Sequence, residues 1–135
     1  MRKSSIVFFA VLAVLFVHST PIFAHHGYAA YDMQLIRSAK ATITGFSIMN
    51  PHSNMTGDVK DANGNIQHWV WEGGPAPHLM KAYGWDRESL KPGDEVTIYY
   101  HPVKGEGHAG LFLKVVFADG RVLSMGGTGE QGSGQ

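Results

Sequence analysis

The chain has 135 residues, with eleven basic and eleven acidic side chains, eight histidines and no cysteine. Without cysteine there are no disulfides, no thiol chemistry and no lipid attachment through a cysteine. A balanced charge without clustered lysine and arginine also excludes nucleic-acid binding, which depends on neutralising phosphates.

The first residues predict export. Arg2 and Lys3 precede an apolar run from Ile6 to Val17, and Ile22-Phe23-Ala24 ends on a small residue suited to cleavage. That is the layout of a secretory signal peptide over residues 1–24, and the run is shorter than the roughly 20 residues a bilayer span needs. Cleavage would leave 111 residues, nine of them basic and eleven acidic, for a net charge of −2 with histidines neutral. The expectation is a periplasmic or secreted protein with no membrane span after cleavage. It would have a single domain over 25–125 and a flexible glycine-rich tail over 126–135.

Past Lys40 the chain alternates apolar and polar residues in short runs. Ala41 and Ile43 share one face, yet beyond Gly45 the apolar positions become Phe46 and Ile48. This change of parity predicts a bulge or bend in a long first strand. Met55, Gly57 and Val59 alternate with polar neighbours in a second strand, and Asn63-Gly64 suits a tight hairpin turn. A third strand runs from Ile66 to Glu72, with Trp69 and Trp71 on one face and Ile66, His68, Val70 and Glu72 on the other. Pro77 to Tyr83 is the helical segment, stopped by Gly84. Trp85 and Leu90, in the connector that follows, are expected to plug the core. A fourth strand spans Glu95 to His101, and a fifth spans Leu111 to Phe117 with Leu111, Leu113, Val115 and Phe117 on one face. A last short strand lies around Arg121 to Leu123. Three strands, a helix and two more strands predict a mainly β fold, a small five- to six-stranded OB-like Greek-key barrel with one short helix. A small β-sandwich fits the same periodicity.

The segments "AHHGYAAYD", "TITGFSIMNPH", "HWVWEGG", "GWDRESLKPGDEV" and "FADGRVL" occur in the order seen in a bacterial exported family. Over essentially the whole mature chain the sequence resembles domain of unknown function family 6152. The resemblance implies a small exported domain and brings no activity with it.

Histidine is the residue type that points to chemistry. Cleavage after Ala24 would put an α-amine and an imidazole on His25, a chelate for copper, with His26 beside it. In an OB barrel the loop between the first two strands lies near the loop between strands four and five. Those loops carry Asn50 and His52, and His101 and His108. The reading is therefore a binding module whose metal ligands are His25, His26, His52, His101 and His108, with copper ahead of zinc. Each histidine also has a structural reading: a turn cap for His52, exposed loop positions for His101 and His108.

Glu72 is expected either to bond the amides of Gly73-Gly74 or to pair with Arg87 or a histidine, and desolvation would make it a general base. Two other classes stay open. One is a copper-dependent oxidase. The other is a module that binds a small ligand or an exported protein partner, using Asn50, Glu72 and an aromatic face of Trp69, Trp71 and Tyr99. No nucleophile–base spacing, glycine-rich phosphate loop or carboxylate pair predicts an enzyme.

Overall fold

The structure, a computed structural model, describes residues 27–126. The signal peptide expected over 1–24, His25, His26 and the tail beyond Gly126 lie outside the described residues. A short 3-10 turn, Tyr28–Ala30, precedes β1 (Arg37–Ser47), β2 (Asn54–Lys60) and β3 (Ile66–Glu72). Helix α1 (Ala76–Tyr83) follows, then β4 (Glu95–Pro102), β5 (Ala109–Phe117) and β6 (Val122–Ser124). The strands are ordered β3-β2-β1-β4-β5, and parallel pairing of β3 with β5 closes them into a barrel. The OB-like barrel is thus the fold, and β6 extends it by pairing with the second half of β5.

Closure depends on β1. Its first half pairs with β4 and its second half with β2, and the register shifts between Ile43 and Gly45. The parity change in the sequence is this bulge. It lets one strand turn a corner while Ala41, Ile43 and Ile48 all stay buried. Trp71, Trp85, Phe112, Met55, Ile98 and Leu79 fill the interior. Each such side chain contributes about 1.5–3 kcal/mol by leaving water. Trp85 plugs the core as expected: its ring meets Phe46 and Phe112, and its Nε1–H donates to the Ser124 carbonyl at 2.7 Å. Helix α1 starts at Ala76 and ends on Gly84, whose φ of 73° is the left-handed conformation that glycine adopts without strain.

The expectation for β5 needs correction. Leu111, Leu113, Val115 and Phe117 do not share one face, because a register shift opposite Tyr99 and Tyr100 leaves Leu113 as the extra residue. Phe112, paired with Tyr100, joins Val115 and Phe117 in the core. Leu111 faces the other way, in register with Glu72 on β3 and His101 on β4. Gly73 belongs to this packing, since a Cβ there would run into the Phe112 ring.

Candidate functional site

Glu72 ends β3 on the outer face of the barrel, and two distant segments meet on its carboxylate. The Tyr31 hydroxyl donates to Oε2, and His52 Nδ1 lies 3.0 Å from Oε1. Glu72 is 31% exposed and His52 49% exposed at the side chain, while Tyr31 is buried. Burial, reinforced by the hydrogen bond to Glu72 and by its charge, pushes the Tyr31 hydroxyl well above the ordinary tyrosine range.

The backbone explains why these residues meet. His52 lies in the β1–β2 loop, just after the cis Asn50-Pro51 bond. The next residue, Ser53, extends the β2–β3 ladder past its last strand pair. Ser53 N–H donates to the Gly74 carbonyl at 3.0 Å, and Gly73 N–H donates to the Ser53 carbonyl at 2.7 Å. The fully buried Ser53 Oγ accepts from Met49 N–H, which closes the loop on itself. The Gly73 amide is thereby used by Ser53 and Gly74 N–H by Met125 Sδ, so Glu72 does not bond the Gly-Gly amides. Of the partners weighed for Glu72, the structure brings a histidine. Arg87 stands elsewhere, beside Phe46 and Met49.

Tyr31 comes from a segment that straps the barrel from outside. Asp32 N–H donates to the Pro102 carbonyl at 2.8 Å, Lys104 N–H donates to the Ala30 carbonyl at 2.9 Å, and Tyr31 bridges Val103. His101, buried on the same outer face as Glu72, donates from Nδ1 to the Leu35 carbonyl at 2.8 Å. His101 is therefore a pin for the strap rather than an exposed loop residue. His108 is exposed, and its ring stacks on Trp69 at 5.2 Å. Among the described residues, no three His, Asp, Glu or Cys side chains gather into a group able to hold a metal. His52, His101 and His108 thus stand apart, and only His52 joins Glu72.

The aromatic residues also separate. Trp71 is fully buried and Trp69 half-buried, and the two rings stack at 5.5 Å inside the barrel. Tyr99 alternates with the buried Ile98 and Tyr100, so it faces outward, under Lys114 Nζ. The three therefore form no common face. Asn50 is exposed at the loop before His52.

Against known proteins, a model of a family of unknown function, DUF6152, matches residues 13–114. The chain belongs to that family. No curated protein and no solved structure matches it, so the geometry carries the functional argument. Among the described residues no helix is long and apolar enough to cross a membrane. Tyr31 is the site residue that sequence reasoning did not single out. It lies within the family segment "AHHGYAAYD", but nothing in its spacing points to a carboxylate 41 residues later.

In chemical terms the site is a carboxylate, fixed by the Tyr31 hydroxyl, within ion-pair distance of one ring nitrogen of an exposed histidine. With Oε2 accepting from Tyr31, Oε1 is left facing His52, whose Nδ1 lies within ion-pair distance at 3.0 Å. A carboxylate on the Nδ1 side of the ring leaves the Nε2 side turned away from Glu72. Metal-ligating histidines are oriented in the same way, by a carboxylate or a backbone carbonyl on the other nitrogen.

Proposed function

We propose that this DUF6152 protein is an exported, non-enzymatic binding module that takes up copper between its mature N-terminus and His52. One observation carries the reading. Glu72 Oε1 lies 3.0 Å from His52 Nδ1, on the ring edge away from Nε2, and the same carboxylate anchors Tyr31, six residues after His25. Six residues of chain reach at most about 20 Å when extended, and Tyr28–Ala30 is coiled, so the reading requires the N-terminus to fold back toward the His52 ring. The α-amine and imidazole of His25 would supply two nitrogens and His52 Nε2 a third. Such an all-nitrogen set favours Cu(II) over the other divalent first-row ions. His26 would follow directly in the chain. His101 and His108 are occupied elsewhere and stay out of the set.

Titration of the processed protein with Cu(II), in parallel with a version carrying one extra glycine before His25, tests the reading. We expect one-to-one binding that the added residue weakens by orders of magnitude and that His52→Ala weakens by about tenfold or more. Equal, weak binding by all three proteins would overturn it. Retained tight binding in His52→Ala alone would leave an N-terminal chelate without the barrel's contribution.

A further inference from the structure

The β1–β2 loop borders a second site. Phe46, Ser47, Ile48, Met49 and Arg87 line an open pocket of about 380 Å³. Ile48 is buried, and Phe46 packs on Trp85 with ring centroids 5.6 Å apart, so the apolar floor continues into the core. Met49 is exposed, and its flexible thioether makes an adaptable wall.

Arg87 is presented by a turn that its own side chains lock. Asp86 N–H donates to Ser89 Oγ at 2.8 Å, and Asp86 Oδ1 accepts from Glu88 N–H at 2.8 Å and from Ser89 Oγ at 3.1 Å. The nearby carboxylates are engaged: Asp86 in this turn, and Glu88 with Lys91 Nζ at 3.5 Å. Among the described residues no carboxylate lies within ion-pair distance of Arg87.

A preformed apolar floor beside an unpaired guanidinium suits an anion with an apolar body. We propose that this pocket binds a small monocarboxylate bearing an aromatic ring or a short alkyl chain. The carboxylate meets Arg87 in a two-pronged contact, and the apolar group lies on Phe46, Ile48 and Met49. The volume falls at the low end for small-molecule sites and limits the ligand to one ring or a short chain. This site uses neither His52 nor Glu72 and stands independently of copper binding.

Backbone amide NMR spectra, titrated with benzoate and separately with benzyl alcohol, test it. Benzoate should give saturable shifts centred on Phe46 to Met49 and Arg87, with the alcohol at least about tenfold weaker. Arg87 is exposed, so Arg87→Gln leaves the fold intact. It should weaken benzoate by about tenfold and leave the alcohol unchanged, with Arg87→Lys in between because an ammonium cannot make the fork. Absent or non-saturating shifts, shifts centred elsewhere, or benzoate binding untouched by Arg87→Gln would overturn the assignment. Equal affinity for acid and alcohol would overturn the carboxylate class.

Discussion

The outer face of β3 carries two carboxylate–histidine contacts, four residues apart along the strand. At His68, Nδ1 lies 2.6 Å from Asp58 Oδ1; at Glu72, Oε1 lies 3.0 Å from His52 Nδ1. Asp58 and His68 face each other directly across the β2–β3 hairpin, which pairs whether or not their side chains interact. Glu72 joins three separate stretches of chain: the strap through Tyr31, the β1–β2 loop through His52, and β3 itself. The His68 ring is 85% exposed and that of His52 49%. The closer contact, at His68, is therefore ornament, and the looser one at Glu72, backed by the Tyr31 hydrogen bond, is the clasp. What distinguishes them is how much chain each holds in position and how much water competes for it.

The contrast breaks most severely where β3 leaves the barrel. Gly73→Ala sets a methyl against the Phe112 ring. The clash should cost about 3 kcal/mol, as overpacking in a filled core does, and should shift Glu72 away from the strap. A urea melt measures the loss, and proteolysis before β1 reports the loosened segment. Next comes Glu72→Ala, which strips the acceptor from Tyr31 and the carboxylate from beside His52. Leaving the buried Tyr31 hydroxyl unpaired should cost about 1–3 kcal/mol. In the copper-binding reading, Glu72→Gln should also weaken Cu(II) by about tenfold or more through loss of the carboxylate beside the His52 ring.

Tyr31→Phe sharpens the comparison by cutting one arm of the clasp and sparing the other. It should cost about 1 kcal/mol, and pH adds a signature. The folded-state ionisation of Tyr31 is raised, first by burial and then by Glu72, whereas an unfolded tyrosine ionises near pH 10. Its contribution is therefore whole below about pH 10 and is lost as pH climbs above that toward the folded value. Tyr100 is also raised by burial, against the opposing charge of Arg37, so two tyrosines should titrate late. Tyrosinate absorbance in Tyr31→Phe should lose one of the late steps, and the alkaline fall in stability should flatten. Two late steps surviving in the variant would show that Glu72 does not hold Tyr31.

The clasp and the hairpin pair also differ in how far they can be read from sequence. Strand boundaries and the β1 bulge follow from local alternation, because a parity change across Gly45 is visible between polar neighbours. The β5 bulge is hidden: Leu111, Phe112 and Leu113 are all apolar, and an unbroken run shows no parity to flip. His52 and Glu72 stand out singly, by residue type on a loop and on a strand face. Their union with Tyr31 does not, since it spans 20 and 41 residues and exists only once β3 has closed on β5. His101 misleads for the same reason: it belongs to a histidine-rich loop in sequence but is buried beneath the strap in the fold.

The smallest expected effect is the control that gives the others meaning. Asp58→Asn removes the carboxylate from His68 without touching the ladder that holds the two residues opposite each other. Exposed ion pairs in a shape the backbone already imposes contribute little, so stability should change by no more than about 0.5 kcal/mol. In the copper-binding reading, Cu(II) uptake should be unaffected, because His68 lies outside the proposed ligand set. If Asp58→Asn matched Glu72→Gln in either measurement, the carboxylate–histidine bond would itself be the source of the effect, and the three-segment clasp would lose its special role. A flat response at Asp58 beside a steep one at Glu72 would assign the difference to the strap and the loop that Glu72 ties together.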